Sequence, residues 1–169
     1  GPEMKSTGEV MGVDTDFGRA FAKSQLGAGT ELPLSGCVFI SVKDEDKPAF
    51  IEICRDLVSD GFTIVATGGT TAALTAAGVP ATHINKVMEG RPHAVDAMLS
   101  GEINLVFNTA KGAAAIRDSF SLRQTALTNK IPYYTTVSGS RAAGQAIRAM
   151  RQGNLQVRTL QDFLADIDQ

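Results

Sequence analysis

The hydrophobic positions of this chain fall into two kinds of segment, short apolar runs and longer stretches with a helical period. β-Branched and aromatic residues concentrate in five short runs, which we predict to be strands at residues 37–42, 63–66, 81–84, 105–108 and 133–136. Segments of helical period separate these runs. This alternation predicts an α/β fold, in which a parallel five-stranded sheet carries helices on both faces in three layers.

One helix is clearly marked between the first two predicted strands. Residues 48–60 place Phe50, Ile53, Cys54 and Leu57 at the spacing i, i+3, i+4 and i+7, which puts all four on one face. Gly61 follows at the position where a helix commonly ends in a left-handed residue. We predict that this face packs into the core.

The last part of the chain predicts a helix, a strand and a second helix. Ala143, Ala146, Ile147 and Met150 repeat the helical spacing, and Gly153 is the expected end of that helix. Residues 155–159 predict a short edge strand. Residues 160–167 predict a closing helix whose inward face consists of Leu160, Phe163, Leu164 and Ile167.

The first 35 residues differ from the rest of the chain. They are rich in glycine and lack a run long enough for a strand, although residues 16–26 are amphipathic, with Phe17, Ala20 and Phe21 on one face. Residues 27–33 have the composition of a linker. We therefore divide the chain into residues 1–35, the end of a larger unit, and a domain over residues 36–169.

Composition and charge narrow the functional classes. The chain has 169 residues, of which 43% are hydrophobic and 20% charged, as in an ordinary globular protein of one domain. With a net charge of −2, the chain has no excess of positive charge that would indicate binding to nucleic acid or to an anionic membrane. No apolar run approaches the roughly 18 residues of a membrane span, and no secretory signal opens the chain. We expect a cytoplasmic protein that binds neither nucleic acid nor a membrane.

Cys37 and Cys54 show no spacing that would suggest a metal site or a redox pair. One falls in a predicted strand and the other on the apolar face of a predicted helix. We expect both to be buried thiols.

The most informative segment is the turn after the second predicted strand, Thr67-Gly68-Gly69-Thr70-Thr71. The two glycines let the backbone approach a ligand closely, and the first amides of the following helix have no partner within it. Hydroxyl donors clustered at a helix N-terminus suit an anion with many acceptor oxygens. The alternative is that the glycines only allow a tight turn.

This turn matches neither of the common nucleotide-binding sequences. It lacks the Gly-Lys-Ser/Thr ending of a nucleotide-hydrolysing P-loop and the full spacing of a dinucleotide fingerprint. The predicted ligand is therefore a phosphorylated small molecule and not a nucleoside triphosphate being cleaved.

Further polar residues follow the other predicted strands, where the ligand crevice of an open α/β sheet lies. They are hydroxyls, amides and cations: Ser41, Lys43, Lys47, Asn85, Lys86, Glu89, Arg91, Asn108, Thr109, Lys111, Thr135, Thr136 and Ser138. Several have simpler explanations, since Lys47 can sit solvated at a helix start and both Asn108 and Ser138 can cap helices. Lys86 stands out because residues 85–93 combine cations, a carboxylate, a glycine and a proline in one loop, a composition typical of functional loops.

The same inventory is poor in catalytic groups. His83 closes a predicted strand and is expected to be structural, while His93 opens a helix. Neither has a nearby nucleophile in sequence, and no pair of histidines has metal-ligand spacing. Glu89 is the only carboxylate in its loop able to act as a general base. We predict no catalytic residue and no metal site.

These segments resemble the methylglyoxal-synthase-like fold, and within it the C-terminal allosteric domain of the carbamoyl-phosphate synthase large chain. The resemblance covers nearly the whole chain. It rests on Ser6-Thr7-Gly8-Glu9-Val10-Met11-Gly12, which looks like the end of the second ATP-grasp half of that enzyme, on residues 85–93, and on Asn108-Thr109.

The resemblance implies a site for phosphorylated effectors, nucleoside monophosphates such as UMP or IMP. It assigns the phosphate to Lys47, Thr67, Gly69, Thr70 and Lys86, and the ribose or base to Ser41, Asn108, Thr109 and Asp118. In the family, a threonine at the position of Thr135 also reaches ornithine at the interface with the synthetase half. The implied partners are the rest of the large chain, the small glutaminase chain and further copies in an oligomer. No cofactor is implied for these residues, whereas ATP, Mg or Mn, and K belong to the larger enzyme.

The chain also departs from the family pattern. Gly68 stands where some members carry histidine, and residues 110–113 replace a turn richer in hydroxyls and arginine. The Gly-Asp carboxylate of free-standing methylglyoxal synthase is missing after the third predicted strand. We nevertheless keep two alternatives to a regulatory domain: a lyase acting on glycerone phosphate with Glu89 as base, and a packing module that binds nothing.

Overall fold

A computed structural model describes residues 17–21 and 31–167 of the chain, with side chains described through residue 153 and at Leu164. Its five strands are β1 (Cys37–Ser41), β2 (Thr63–Ala66), β3 (Thr82–His83), β4 (Leu105–Asn108) and β5 (Tyr133–Tyr134). They form one sheet in the order β3-β2-β1-β4-β5, and every pair is parallel. The predicted parallel five-stranded sheet is confirmed.

Each predicted strand lies at its predicted place, but the two edge strands are short. β3 and β5 have two residues each, where four were predicted. An edge strand has a partner on one side only, so its ladder ends as soon as the chain turns away from that partner. The three central strands match the prediction to within one residue.

The helices are α1 (Lys47–Ser59), α2 (Gly68–Ala76), α3 (Ala94–Leu99), α4 (Ala113–Thr128) and α5 (Val137–Ile167), and two 3₁₀ turns cover Asp44–Asp46 and Val87–Glu89. The helix predicted at residues 48–60 is α1, shifted by one residue at each end. Its four predicted core residues are all buried, and Gly61 has a φ of +96°, as a left-handed helix end requires.

The side chains of the sheet alternate between two hydrophobic clusters, one on each face. Val38 and Ile40 of β1 pack with α1 and α5, whereas Phe39 points to the other face and packs with α3 and α4. β4 alternates in the same way, with Val106 on the α3 and α4 side. The molecule therefore has the predicted three layers, with α1, α2 and α5 on one face.

The C-terminal prediction is wrong in two respects. Helix α5 continues through Gly153 to Ile167, so residues 155–159 are helical and form no edge strand. A single glycine inside a helix costs about 1 kcal/mol relative to alanine, which does not end a helix when good helix formers follow and no proline intervenes. Leu164, predicted to face inward, is 51% exposed. The side chains of Leu160, Phe163 and Ile167 lie outside those described.

Part of the N-terminal amphipathic stretch contacts the domain. Residues 17–21 are helical, and the ring of Phe21 lies 6.3 Å from that of Tyr134 in β5. Phe21 thereby joins the cluster on the α1 and α5 face. Residues 1–16 and 22–30, including the Ser6–Gly12 run, lie outside the described residues, and the predicted boundary at residue 36 stays a prediction.

The two cysteines differ in burial. Cys54 is fully buried as predicted, whereas Cys37 is only half-buried, because β1 begins there at the rim of the sheet. Burial raises the pKa of both thiols. Among the helices that the structure describes, none combines the length and the apolar character that crossing a bilayer demands.

Candidate functional site

A cavity of about 410 Å³ opens at the carboxyl ends of β1, β2 and β4. The chain builds the sheet outward from β1 to β2 and β3, then returns to place β4 on the other side of β1. The segments that follow the paired strands β1 and β4 therefore leave in opposite directions, which makes their carboxyl ends the topological switch point, where open α/β sheets bind their ligands. The cavity is lined by Phe39, Ser41, Val42, Lys43, Asp44, Glu45, Lys47, Thr67, Lys86, Val87, Ala94, Asn108, Thr109, Ala110, Lys111, Ala115, Asp118, Ser119 and Leu122.

The N-terminus of α2 forms one wall of this site. Thr67 is the N-cap residue, and its side chain makes no capping hydrogen bond. Its hydroxyl oxygen lies instead 2.8 Å from that of Ser41, at the end of β1. The amides of residues 68–70 open the helix and have no acceptor within it. Main-chain donors and the positive end of the helix dipole thus meet the Thr67 and Ser41 hydroxyls at one corner.

The other two threonines of the turn use their hydroxyls inside the protein. The Thr70 hydroxyl is buried, accepts from the Val42 N–H at 3.2 Å and contacts the Val42 carbonyl oxygen at 3.5 Å. The Thr71 hydroxyl donates to the carbonyl oxygens of Ala66 at 2.7 Å and Thr67 at 2.9 Å. These bonds fasten α2 to the strand ends. Thr70 is left with its main-chain amide, not its hydroxyl, for a ligand.

Two lysines bring positive charge to this cavity. Lys47, at the start of α1, reaches over the glycines: a β-carbon built on Gly69 would lie 3.3 Å from the lysine Nζ. Lys86 lines the cavity from the opposite loop, where its N–H donates to Glu89 Oε1 at 2.6 Å. The site therefore combines main-chain amides, hydroxyls and two lysine side chains, a set of donors that suits an oxyanion.

Each of three lysines at the cavity has a carboxylate from the 3₁₀ turn Asp44–Asp46 as its counter-ion. Lys47 is hydrogen-bonded to Asp44, Lys111 Nζ lies 3.2 Å from Glu45 Oε1, and Lys43 Nζ lies 3.9 Å from Asp46 Oδ2. The hydrogen bond from Lys47 and its charge hold the pKa of the Asp44 carboxyl below its ordinary value. An incoming anion must therefore compete with carboxylates for these cations.

The far end of the cavity is built by β4 and α4. Asn108 is 5% exposed and donates through Nδ2 to the Ser119 hydroxyl at 2.8 Å and to the Tyr133 hydroxyl at 2.7 Å. The Thr109 hydroxyl accepts from the Lys43 N–H at 3.0 Å. Asp118 lines the same end from α4. Donors thus cluster at α2, while the Asp118 carboxylate offers an acceptor at α4.

Most of the residues predicted for the site meet at this cavity. Lys47, Thr67, Lys86, Ser41, Asn108, Thr109 and Asp118 all line it. Gly69 and Thr70 are not among the lining residues, although Gly69 stands beside Lys47. Thr135, exposed after β5, is not among the lining residues. The possibility that Asn108 caps the next helix is wrong, because Gly112 holds the N-cap position of α4.

His93 and Glu89, the catalytic candidates considered from the sequence, both have structural partners. His93 is the N-cap of α3, where its side chain accepts from the Asp96 N–H and its own N–H donates to Asp96 Oδ2 at 3.0 Å. Glu89 is held by the Lys86 N–H and does not line the cavity. Arg91 lies 2.8 Å from Asp96 and lowers the pKa of that carboxyl.

Two residues of the site were missed. Ser119 lies in the middle of α4 and Tyr133 in β5, and both contact Asn108. A serine within a helix and a tyrosine within a strand carry no sequence signal for such a role. Within residues 17–21 and 31–153, no group of three or more His, Cys, Asp or Glu side chains is arranged to hold a metal ion.

Comparison with known proteins agrees with this architecture. The family model described as the MGS-like domain matches residues 49–135. The chain is 56% identical over 163 residues to the carbamoyl phosphate synthase large chain of Brucella suis biovar 1 (strain 1330), covering 96% of this chain and 14% of that protein. It is 55% identical to the protein of the same name from Rhizobium meliloti (strain 1021), with the same two coverages.

Among solved structures, methylglyoxal synthase from Elizabethkingia anophelis NUHP1 is 14% identical, with a TM-score of 0.48, over 64% of this chain and 76% of that chain.

The chain spans about one seventh of the length of the carbamoyl phosphate synthase large chains that it matches. Because the family model matches more than half of its residues, the chain belongs to the MGS-like domain family, and over 96% of its length it is similar to part of carbamoyl phosphate synthase large chains.

Proposed function

We propose that this chain is an effector-binding regulatory domain of a carbamoyl phosphate synthase large chain, and that its ligand is a nucleoside monophosphate such as UMP or IMP. The observation that carries this proposal is the cavity at the switch point, where the uncapped start of α2, two lysines and two hydroxyls converge.

The phosphate occupies the corner formed by α2. In this proposal the amides of residues 68–70 and the hydroxyls of Thr67 and Ser41 donate to its oxygens, while Lys47 and Lys86 supply positive charge. A phosphate dianion accepts many hydrogen bonds at once, and a helix N-terminus is suited to negative charge. Thr70 contributes through its main-chain amide only, since its hydroxyl is bonded to Val42.

The nucleoside extends from this corner toward α4. Asn108, Thr109 and Asp118 line that end of the cavity and offer carboxamide, hydroxyl and carboxylate groups to a sugar or base. Phe39, Ala115 and Leu122 add apolar surface beside them. A cavity that is charged at one end and mixed at the other fits an amphiphilic ligand of this kind.

Binding here regulates a reaction carried out elsewhere in the larger protein. Effects of this kind correspond to coupling free energies of about 1–3 kcal/mol, which a loop rearrangement can supply. The partners we propose are the remainder of the large chain, a small glutaminase chain and further copies of the assembly, in the cytoplasm. Thr135 is placed by this proposal at an ornithine-side interface with the synthetase region, which also holds the ATP and the metal ions.

The competing hypothesis is a lyase that removes phosphate from glycerone phosphate. The α2 corner would hold that substrate equally well, and Asp44 and Asp118 bring carboxylates to the cavity. Glu89, the base assigned to this reaction from the sequence, points to the Lys86 N–H instead. This disfavours the lyase, and the two hypotheses predict different results in one experiment.

The experiment is a calorimetric titration of the purified chain with UMP, IMP and uridine, followed by an assay for phosphate release from glycerone phosphate. We expect UMP or IMP to bind and uridine, which lacks the phosphate, to give no heat. Phosphate release above background would establish the lyase. Absence of heat and of any thermal shift at millimolar nucleotide would instead favour a packing module without a ligand.

A further inference from the structure

The side-chain amide of Asn108 is held by two neighbours, and the first of them is Ser119. The Ser119 hydroxyl has a single hydrogen, which it donates to the carbonyl oxygen of Ala115 at 2.8 Å. It can therefore only accept from Asn108, 2.8 Å away. The Asn108 atom facing Ser119 must be Nδ2, and this network assigns the orientation of the carboxamide.

The second neighbour is Tyr133, whose hydroxyl accepts from Nδ2 at 2.7 Å. Tyr133 pairs with Val106 in the sheet register, and the guanidinium carbon of Arg123 lies 5.5 Å from the centre of its ring. The strand and the cation hold the phenol in place. An amide nitrogen has two hydrogens, so both of those on Asn108 are engaged within the protein.

From this geometry we infer that Ser119 and Tyr133 are positioning residues, which turn Asn108 so that only its carbonyl oxygen is offered to a ligand. The effector must then present a hydroxyl or N–H donor at this point, and a ligand with an acceptor there is rejected. This inference rests on the proposed function for the identity of the ligand, but the orientation of the amide does not.

The reverse orientation is opposed by Ser119. Turning the carboxamide would bring its oxygen against the Ser119 oxygen, whose hydrogen is already bonded to Ala115. Two acceptors would face each other in a buried position, because Asn108 is 5% exposed. Leaving buried polar groups unpaired is unfavourable, so the site discriminates between ligands that offer a donor to Asn108 and ligands that offer an acceptor.

The test uses two substitutions with a matched control for each. Ser119→Ala and Tyr133→Phe each remove one acceptor from Asn108. Ser121→Ala makes the same change two positions further along α4, where the hydroxyl bonds to the Asp118 carbonyl oxygen. Tyr134→Phe removes the next hydroxyl of β5, on the opposite face of the strand.

The first readout is independent of any ligand. In a two-dimensional ¹H–¹⁵N spectrum, the two side-chain amide hydrogens of Asn108 should both be shifted downfield in the unsubstituted chain and exchange slowly with water. Ser119→Ala and Tyr133→Phe should each shift one of them upfield and speed its exchange, whereas Ser121→Ala and Tyr134→Phe should not. Unchanged Asn108 signals in both test variants would overturn the inference.

The second readout is selectivity. Affinities are measured for UMP, for its 2′,3′-dideoxy and N3-methyl analogues, and for inorganic phosphate. We expect the unsubstituted chain to bind at least one donor-deleted analogue about tenfold more weakly than UMP, the effect of one lost neutral hydrogen bond. Ser119→Ala and Tyr133→Phe should bring that ratio toward one without changing the affinity for phosphate, and Ser119→Thr should restore it.

The outcomes separate the two claims. If no phosphate compound binds to the unsubstituted chain, the proposed function fails, and the amide signals alone decide the role of Ser119 and Tyr133. If UMP binds but both test variants keep the selectivity of the unsubstituted chain, the positioning role is refuted and the proposed function stands.

Discussion

Lys47 and Gly69 approach so closely that any side chain at position 69 would press against the lysine ammonium group. A β-carbon built on Gly69 would lie 3.3 Å from Nζ of Lys47, a tight contact that would push the ammonium group away. Gly69 has no positive φ, so its conformation suits other residues and the restriction comes from the lysine. The glycine therefore lets a cation and a helix N-terminus share one corner of the cavity.

Gly69→Ala should weaken binding of a nucleoside monophosphate about tenfold while leaving the fold intact. The methyl group displaces Lys47 from the phosphate corner, and alanine favours a helix more than glycine does. Calorimetry measures the affinity, and urea unfolding measures the stability. Gly68→Ala is the matched control, since its β-carbon would meet only His83 Cε1, at 4.0 Å. Equal losses in the two variants would argue against the Lys47 contact.

Lys86→Gln should lower the affinity for the same ligand by about 10- to 100-fold. A charge-assisted hydrogen bond to phosphate is worth roughly 1.5–3 kcal/mol, and glutamine keeps a polar side chain, one atom shorter, without the charge. Lys130→Gln removes a lysine that lines a different surface, beside Pro132 at the amino end of β5, and should have no effect. Binding of UMP that is insensitive to Lys86→Gln would place the phosphate elsewhere.

Asp44→Asn should strengthen the binding of phosphate compounds a few-fold. Asp44 is a hydrogen-bonded counter-ion of Lys47, and removing its charge frees the lysine for the ligand. Because Asp44 is exposed, the effect should diminish as salt is added. Titrations at low and high ionic strength measure it. Glu52→Gln, which breaks the exposed pair with Arg55 on α1, is the control. Weaker binding by Asp44→Asn would mean that this carboxylate positions Lys47 instead of competing for it.

Cys54 should make stability depend on pH in the alkaline range. Burial raises the pKa of its thiol from 9.0 to about 12. The unfolded chain ionises this thiol first, so its contribution is complete below pH 9 and is lost as the pH rises toward the folded-state pKa. The expected loss is about 1.4 kcal/mol per pH unit within that window.

Urea unfolding of the unsubstituted chain and of Cys54→Ala checks this prediction. The variant carries a constant penalty for its smaller side chain, but it has no thiol to ionise. The difference in free energy of unfolding between the two proteins should be constant up to pH 9 and shrink above it. A difference that stays constant to pH 11 would show that the thiol has an ordinary pKa in the folded chain.

Local sequence features predicted the elements that depend on neighbouring residues. The spacing of Phe50, Ile53, Cys54 and Leu57 identified α1, and the central strands were found to within one residue. The same local reasoning failed after Gly153, where it took a glycine as a helix end and a run of mixed residues as a strand. Helix α5 continues there, because extending an existing helix is easier than starting a strand without a partner.

In the candidate site, too, some features were predictable from the sequence and others depended on folding. Thr67 and Lys86 were predicted because polar residues after parallel strands meet at one edge of a sheet, whereas the role of Lys47 was implied by the family resemblance. The uses of the Thr70 and Thr71 hydroxyls could not be predicted, since each depends on a carbonyl or amide brought close by folding. The counter-ions of the lysines could not be predicted either, because they come from a 3₁₀ turn that ordinary side-chain patterns do not mark.

By itself, then, the sequence determined the parallel α/β sheet, the turn at Thr67–Thr71 and the family to which the chain belongs. Only the tertiary structure decided which groups at the cavity are free to bind and which are already bonded. Ser119 of α4 and Tyr133 of β5 lie 11 and 25 residues from Asn108, yet both engage its amide. Hydrogen bonding is directional and short-ranged, so the orientation of a side chain is fixed by neighbours that only the packing of strands and helices brings together.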